Sequence, residues 1–352
     1  MSLNNDKIAI VEVGGSHDEC ILTQLGALKK GGKEIVLICT EVVAQRNSCF
    51  EDYVTSTVLI ETKGQSKGTQ AKAIWNAIKS SNVAKVVFNT AQGGVIRNVC
   101  LKALFSKVEF IGIIHTTRKF EGSFTQKIIN RKIKKYLLLS QFLHDRIVPP
   151  KGIETDYFYP IAFPQQNNFS DESHVIVAIL GGVEKRRKDL DGFIQMAQQV
   201  VAKDVEFVFL GKSDPQLEDV KEFRAKLEEG GIMEKVKLYD HFVSQEDFDT
   251  LLSKASFILP LVHPDTPSAD QYFKNQISGA TNVAFGYNIP LLIHEGYHHV
   301  HEMNAGSFYY NLKNFDAVLT EAIEGREDKV KALESDYTII EQEKRYFNFL
   351  FG

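Results

Sequence analysis

Short apolar runs alternate with helix-like segments along the whole sequence, and this alternation restricts the fold more than any other feature. Between the runs, apolar residues recur close to a 3.6-residue period, as in Leu190, Phe193, Ile194 and Ala197. The runs lie at 8–13, 34–39, 84–89, 108–114 and 135–140, and again at 175–180, 205–210, 235–239, 257–261 and 290–293. Strands that alternate with helices form parallel sheets covered by helices on both faces. The sequence therefore predicts an α/β protein with two parallel sheets.

The length of 352 residues and an interruption after the fifth run indicate two domains. A proline pair begins at Pro149, and residues 164–173 are polar in composition. We place an N-terminal domain at 1–165 and a C-terminal domain at 166–335. The tail 336–352 is helix-like with no strand after it, and we expect it to pack back on the N-terminal domain.

The overall composition is that of a globular protein and argues against several functional classes. Hydrophobic residues make up 43% of the chain, and the net charge of −4 gives no general attraction to nucleic acid or anionic membranes. No signal peptide and no apolar run long enough to span a bilayer is recognisable. Four cysteines without a C-x-x-C spacing favour buried thiols. We expect a cytoplasmic protein and leave open an association with the inner face of the membrane.

The segment 175–201 combines an apolar run, a glycine pair, a basic cluster and a helix-like stretch. Gly181 and Gly182 would let the backbone approach an anion, and free N–H groups at the helix start would point at it. The cluster 185–188 would add positive charge. The spacing is neither that of a P-loop nor that of the G-x-G-x-x-G turn. A phosphate site and a solvated charge run after an ordinary turn are both consistent with this pattern.

Two histidines follow predicted strands at the edge where open α/β sheets bind ligands. His17 follows a glycine turn that includes Gly15, in a stretch, 16–19, that fits a helix capping box. His115 directly follows the run 108–114. His17 could contact a substrate or be an exposed loop histidine.

A basic segment at 127–135 interleaves lysine and arginine with isoleucine. An amphipathic segment of this kind could lie on an anionic membrane, although a solvated helix face explains the pattern as well. Peripheral membrane contact therefore remains one of two interpretations of this segment.

Residues 294–298 match the H-E-x-x-H spacing of zinc proteases, and further histidines follow. The motif requires the interior of a helix, and Pro290 and Gly296 argue against a helix here. We expect a loop that is no metal site, in which the histidines bind metal only adventitiously.

Several short stretches, in a fixed order, resemble the retaining glycosyltransferases of the GT-B fold, family 4. The most specific is 152–160, which resembles that family's N-G-V-D-T-E-R-F-R-P motif, with Lys151 in place of the asparagine. The others are 113–115, 139–143, 179–189, 242–244, 255–260 and 288–292. The resemblance covers nearly the whole chain and implies two Rossmann-like domains that face each other across a cleft.

The resemblance implies a hexosyl transfer with retention, from a nucleotide-diphosphate sugar to a glycan or lipid-linked glycan, without a metal or other cofactor. Cations aimed at the departing diphosphate would stabilise the transition state. His115, Arg187 and Lys188 would be the catalytic residues, because His115 matches the family's donor-sugar histidine and Lys188 its phosphate-binding lysine. The expected donor-binding residues are Gly15, His17, Gly182, Arg186, Ser244, Lys274, Ser278, Gly279 and Asn282.

The sequence departs from the family pattern at a pair of glutamates eight positions apart. These positions hold Asn275 and Val283, and the family's arginine position holds Val183, so that Arg186 or Arg187 would have to replace it. The departure leaves open a non-catalytic nucleotide-sugar-binding protein with the same fold. It also leaves open a nucleotide-sugar epimerase, which would need acidic groups that the sequence does not identify.

Features near the missing glutamates could substitute for them. The stretch 278–281 could present N–H groups to the phosphates at a helix N-terminus. Lys274 could add positive charge, and Asn282 could hold a ribose hydroxyl as a neutral substitute.

Overall fold

The computed structural model describes residues 3–14, 17–163, 174–202 and 204–352. The chain divides into two compact units, one formed by Met1–Phe163 with Ile339–Gly352 and the other by Pro164–Thr338. Each unit contains one parallel sheet connected by helices. The predicted α/β class with two parallel sheets is therefore confirmed.

The first unit is built on a seven-stranded parallel sheet. Its strands are β1 Asn4–Glu12, β2 Glu34–Cys39, β3 Ser56–Leu59, β4 Val83–Phe88, β5 Glu109–Ile114, β6 Ile133–Leu138 and β7 Glu154–Tyr157. They are ordered β3-β2-β1-β4-β5-β6-β7 across the sheet. The helices are α1 Ile21–Lys30, α2 Glu41–Arg46, α3 Lys67–Ser80, α4 Gly93–Lys102, α5 Phe124–Ile129, α6 Gln141–Asp145 and, from the end of the chain, α13 Ile339–Phe351.

The C-terminal helix α13 packs on α1 within this unit. The hydroxyl of Tyr346 donates to Oε1 of Gln24 at 3.0 Å, and both side chains are buried. A Cβ at Gly26 would lie 2.2 Å from Oε1 of Glu343, so a larger residue at that position would require the Glu343 side chain to move.

The second unit is built on a six-stranded parallel sheet. Its strands are β8 Val175–Leu180, β9 Val205–Lys212, β10 Val236–Tyr239, β11 Phe257–Ile258, β12 Leu291–His294 and β13 Ser307–Tyr310, in the order β10-β9-β8-β11-β12-β13. The helices are α7 Leu190–Gln199, α8 Glu218–Glu229, α9 Gln245–Leu252, α10 Ala269–Lys274, α11 Gly279–Tyr287 and α12 Phe315–Asp336. In the core, the ring of Phe193 packs edge-on against Phe207 and Phe209, with centroids 5.2 and 5.3 Å away.

The basic segment 127–135 does not form the single amphipathic helix that a membrane-surface interpretation requires. Helix α5 ends at Ile129, and strand β6 begins at Ile133, which is fully buried. Lys132 donates to the carbonyl oxygen of Ser106 at 2.8 Å. The change from helix to strand places the basic residues on different elements. Among the described residues, no helix is long and apolar enough to cross a bilayer.

The start of α1 also differs from the prediction. A short 3-10 turn at Asp18–Cys20 precedes the helix, which begins only at Ile21. Gly15 was predicted to contact the donor, and Ser16 was predicted to cap the helix. Both residues lie outside the described residues.

Candidate functional site

The strand order of each sheet marks one place where a ligand is expected to bind. In the first sheet the chain proceeds from β1 to one side through β2 and β3, and to the other side through β4 to β7. In the second sheet the same reversal occurs between β8 and β11. Open α/β sheets bind ligands beyond the carboxyl ends of the strands at such a switch point. Each unit therefore has one candidate site, which we describe separately.

Glu12 is the last residue of β1 and organises the switch point of the first unit. Its side chain is 1% exposed. One carboxylate oxygen accepts hydrogen bonds from Asn89 Nδ2 and Thr90 Oγ1, both at 2.7 Å, and the other accepts from the backbone N–H of Gly14 at 2.6 Å. Burial raises the pKa of Glu12, although these hydrogen bonds oppose the shift. Glu12 thereby joins the end of β1 to the segment after β4.

His115 lies directly after β5 and is held in one tautomer. Its Nε2 lies 2.6 Å from the carbonyl oxygen of Asn89, so Nε2 carries the proton and donates it. Its Nδ1 is buried without a hydrogen-bond partner among the described residues. Burial, and then the nearby His17, lower the pKa of His115 to about 4. The ring is therefore neutral near pH 7, and Nδ1 is an acceptor that lacks a donor.

His17 stacks on His115 with the ring centroids 3.9 Å apart. Its backbone is left-handed, with φ of 82°, an uncommon conformation for a residue other than glycine. Burial lowers the pKa of His17, but Glu19, with an oxygen 3.5 Å from Nδ1, and the charges of Glu12 and Asp18 outweigh burial and raise it. The two stacked rings thus have pKa values moved in opposite directions, which is typical of sites that transfer or hold protons.

In the second unit, the glycine pair after β8 is needed for contact between backbones. Gly181 has a positive φ of 82°. A Cβ at Gly182 would lie 2.1 Å from the carbonyl oxygen of Lys212, at the end of β9. This close approach explains, without reference to a ligand, why position 182 holds glycine.

Lys188 differs from the rest of the basic cluster because its side chain is buried. Its Nζ donates to the carbonyl oxygen of Gly182 at 2.9 Å. No carboxylate among the described residues forms an ion pair with it. Burial lowers the pKa of Lys188 to about 8, although Glu184 opposes the shift. An ammonium group with three donors and one carbonyl partner, held at a switch point, is suited to bind an anion.

The other cations of the cluster are exposed and paired. Arg187 Nε lies 3.2 Å from a carboxylate oxygen of Glu184, and Arg186 lies 3.9 Å from the same oxygen. Val183, at the family's arginine position, is buried in the core. The arginines can therefore reach a ligand only by leaving Glu184.

The start of α7 does not offer the free N–H groups that the sequence suggested. Asp189 caps the helix, and its Oδ1 accepts from the N–H of Gly192 at 2.8 Å. The other oxygen lies 2.8 Å from Nδ1 of His263, in the segment after β11. Nε2 of His263 in turn lies 2.7 Å from the hydroxyl of Tyr310. A carboxylate of the chain thus occupies the position that a phosphate would take at α7.

The N-terminus of α11 is open instead. Ser278 caps it by accepting from the N–H of Ala280 at 3.3 Å, and a Cβ at Gly279 would meet no atom within 4 Å. Asn282 is 3% exposed, and its Oδ1 has no hydrogen-bond partner among the described residues. An open helix start beside an unsatisfied buried oxygen indicates a site for a polar ligand.

The remaining predicted positions are engaged within the protein. Lys274 forms an ion pair with Asp270 at 2.7 Å. Ser244 caps α9, because its Oγ accepts from the N–H of Asp247 at 3.1 Å. Asn275 ends α10, and Val283 lies in the second turn of α11 and is buried.

The H-E-x-x-H segment is not helical. His294 ends β12, and a short 3-10 turn covers Glu295–Tyr297. His298 stacks on Tyr309 with the ring centroids 4.0 Å apart. Among the described residues, no group of three or more histidine, cysteine or acidic side chains could hold a metal ion. The zinc-protease geometry therefore does not form.

Several residues that the sequence analysis did not select belong to these two sites. Each of them lies at the end of a strand or in the segment that follows a strand. This placement is the signal that could have identified them in the sequence. They are Glu12, Asn89, Asp189, His263, His294 and Tyr310.

The two parallel sheets, each with a switch point, form the architecture of the GT-B fold, and comparisons with solved structures agree on that fold. No protein-family model and no curated protein matches the sequence. A glycosyltransferase from Rickettsia africae matches with a TM-score of 0.67 and 13% identity, over 99% of this chain and 100% of the other. At this identity the likeness shows the fold alone.

Two further solved structures match over similar lengths. Anabaena Alr3699/HepE, in complex with UDP and glucose, has a TM-score of 0.69 and 12% identity, over 98% of this chain and 99% of the other. A UDP-N-acetylglucosamine 2-epimerase has a TM-score of 0.65 and 13% identity, over 99% of this chain and 95% of the other. The fold is therefore shared by a glycosyltransferase, a protein that binds UDP and glucose, and an epimerase.

Proposed function

We propose that this chain is a glycosyltransferase that moves a sugar, with retention, from a nucleotide-diphosphate sugar to a glycan or lipid-linked glycan. The observation that carries the proposal is the buried ammonium of Lys188, which has a backbone carbonyl as its partner at the switch point of the second sheet. A buried cation costs folding free energy unless an anion compensates it. A diphosphate would supply that compensation.

The second unit would hold the donor through Lys188 and the start of α11. The N–H of Gly279 would point at a phosphate oxygen, and Oδ1 of Asn282 would accept a hydrogen bond from a donor hydroxyl. As the bond to the sugar breaks, negative charge grows on the departing diphosphate. Lys188 would then stabilise the transition state more than the ground state, which is the condition for faster turnover. Arg186 and Arg187 would assist if they leave Glu184.

His115 would act on the sugar or its acceptor from the first unit. Its unpartnered Nδ1 can accept a hydrogen bond from a hydroxyl group, while Nε2 stays bound to the carbonyl oxygen of Asn89. His17, with its raised pKa, would place a partial positive charge beside that ring. We expect Gly15 to contribute its backbone in the same segment, as the family resemblance implies.

Binding of nucleotide sugars tests the proposal first. UDP-glucose, GDP-mannose and ADP-glucose should be screened by thermal shift, because a ligand that binds only the folded state raises the melting temperature. The bound compound should then be titrated into wild type, Lys188→Met and Lys185→Met by calorimetry. Lys185 pairs with Glu222 on the surface and serves as the matched control. Equal affinity for wild type and Lys188→Met would contradict the proposal.

A second candidate is a nucleotide-sugar epimerase. Glu12 and Glu19 lie close to His17 at the first switch point and would be the candidate acidic groups for such an enzyme. Moving a proton at a sugar carbon needs a base and an acid close together. Incubating UDP-N-acetylglucosamine with the protein in D2O distinguishes the two, because epimerisation by proton transfer gives a new sugar that carries deuterium. Transfer gives UDP and a glycosylated acceptor.

A protein that binds the donor but forms neither product would be the non-catalytic binding protein. The positions of Asn275 and Val283 favour that outcome, because neither side chain supplies the carboxylate of the family pattern. Release of UDP in the presence of candidate glycans measures it directly.

A lipid-linked acceptor would bring the protein to a membrane. Exposed basic side chains at Lys127, Arg131 and Lys134 would then be available to anionic lipids, although they do not share one helix. Sedimentation with vesicles that contain phosphatidylglycerol, compared with neutral vesicles, tests this contact.

A further inference from the structure

The histidine that begins the H-E-x-x-H segment has a geometry of its own. His294 is the last residue of β12, at the carboxyl edge of the second sheet. Its Nδ1 accepts the N–H of Gly296 at 3.0 Å, so in the neutral ring the proton sits on Nε2. The side chain is half-buried. His294 therefore presents one N–H donor whose orientation is fixed by the turn that follows it.

His294 connects to the Lys188 segment through one other side chain. Its ring centroid lies 5.2 Å from that of His263, whose Nδ1 lies 2.8 Å from Asp189, the residue after Lys188. Strand β12 is two strands from β8, so the carboxyl ends of the two strands are about 10 Å apart. A diphosphate with its attached sugar or ribose spans such a separation.

His263 supports this arrangement and is not itself available to a ligand. It is 2% exposed, and both ring nitrogens are engaged, one by Asp189 and the other by the hydroxyl of Tyr310 at 2.7 Å. The ring of Tyr310 also lies edge-on to His294, with centroids 6.0 Å apart. Because both ring nitrogens of His263 are engaged, the Nε2–H of His294 is the imidazole N–H of the His263–His294 pair that can donate to a ligand.

The surroundings of His294 shift its pKa in both directions. Burial and then His263 lower its pKa, whereas Glu295, Asp189 and Asp265 raise it and do not fully compensate. On the neighbouring strand β13, Tyr310 is neutral because burial raises the pKa of its hydroxyl. The ring is therefore neutral near pH 7 in the absence of a ligand. A further negative charge nearby would favour its protonation.

We propose that His294 is an additional donor-binding residue, which hydrogen-bonds the anionic diphosphate through Nε2–H and takes up a proton as the nucleotide sugar binds. This inference rests on the proposed function of the same site and adds a residue that the family resemblance does not assign. It also gives the H-E-x-x-H segment a role without a metal. Binding of the donor should therefore become tighter as the pH falls from 7.5 to 6.

Calorimetry with a nucleotide sugar measures the proton directly. The probe is whichever of UDP-glucose, GDP-mannose and ADP-glucose binds, since their diphosphates are diesters that do not titrate near neutral pH. Titrations at pH 7.0 in HEPES and in Tris give the number of protons taken up, because the two buffers release heat differently on ionisation and neither contains phosphate. We expect uptake of roughly half a proton or more for wild type, as for a histidine whose pKa rises through neutrality.

Two substitutions separate the functions of the ring. His294→Asn keeps an oxygen near the position of Nδ1, which can still accept from Gly296, but removes the donor. We expect roughly tenfold weaker binding from loss of a charge-assisted hydrogen bond. His294→Gln places an amide N–H near the position of Nε2 but cannot be charged, so binding should weaken less and proton uptake should disappear. His298→Gln, four residues later on the stack with Tyr309, is the control and should behave as wild type.

The outcomes distinguish this inference from the proposed function. If none of the three nucleotide sugars binds wild type, the proposed function is wrong and the inference falls with it. If wild type binds a nucleotide sugar but both His294 variants show the same affinity and the same proton uptake, the inference alone is overturned. Far-ultraviolet circular dichroism of each variant identifies any loss of folding. If the His294 variants do not fold, the number of protons that wild type takes up on binding is compared at pH 6.0 and pH 7.5. A number that does not change with pH contradicts the inference.

Discussion

The ammonium group of Lys188 donates a hydrogen bond to the carbonyl oxygen of Gly182, at 2.9 Å, within the same turn of chain. That turn depends on a contact that a side chain would destroy, because Gly182 lies against the backbone of Lys212. The position of the buried cation is therefore set by the packing of β8 against β9. A site built in this way is rigid before any ligand arrives, which lowers the cost of binding.

Gly182→Ala tests that packing. The new Cβ would lie 2.1 Å from a backbone oxygen that cannot move away without distorting β9. We expect destabilisation by at least about 3 kcal/mol, at the severe end of overpacking substitutions. The free energy of unfolding is measured by urea denaturation. Gly279→Ala is the matched control, because its Cβ would enter open space, and a similar loss in both variants would contradict the packing argument.

His115→Ala tests the histidine of the first unit. The substitution removes the unpartnered Nδ1, so we expect the turnover number to fall roughly a hundredfold with little change in KM, as for a group that acts in the transition state. Steady-state kinetics with the donor identified by the binding screen measures both constants. His17→Asn is the comparison, since asparagine tolerates the left-handed backbone at that position. Unchanged turnover in His115→Ala would remove the residue from the reaction.

Asn89→Leu tests the network that positions His115. Asn89 is fully buried, and its amide donates to Glu12 and to the carbonyl oxygen of His17 while accepting from Gln24. The leucine would leave these groups unpaired, and we expect a loss of about 2–4 kcal/mol of unfolding free energy. Gln45→Leu removes only an exposed hydrogen bond to Glu41 and should change stability by less than about 0.5 kcal/mol. Equal stability of the two variants would contradict the network.

The central strands of both sheets could be predicted from sequence, but three of the four edge strands could not. Each strand in the middle of a sheet is a run of apolar residues, because both of its faces are covered. The three strands that the sequence analysis missed, β3, β7 and β13, all lie at the edge of a sheet. Residues Glu154–Tyr157 are half-buried and polar, so neither hydrophobicity nor period distinguishes them from a loop.

The site was only partly predictable for a similar reason. Lys188 was selected because it matches the phosphate-binding lysine of the family that the sequence resembles, but its burial apart from Arg186 and Arg187 depends on which side chains the turn covers. The pair between Asp189 and His263 joins residues that are far apart in sequence, and local patterns contain no information on it. The H-E-x-x-H letters predicted a metal only in a helix, and the glycine within them already argued against that helix.

The pH dependence of stability provides a further test at Lys188. Its pKa in the folded protein, about 8, lies below its ordinary value, so the unfolded chain holds the proton more tightly. Stability of wild type relative to a Lys188→Met variant should therefore rise as the pH increases from about 8 toward 10 and stay constant below pH 7. Thermal unfolding at a series of pH values measures this difference. A relative stability that does not change above pH 8 would contradict the depressed pKa.

Lys188→Met, measured for stability and donor affinity in the same preparation, tests the central claim most directly. Methionine keeps much of the apolar stem and removes a buried charge whose shifted pKa corresponds to a cost of about 3 kcal/mol at pH 7. We predict a higher melting temperature than wild type, together with at least roughly tenfold weaker binding of the nucleotide sugar. A lower melting temperature with unchanged affinity would show that the lysine stabilises the fold and does not bind the diphosphate.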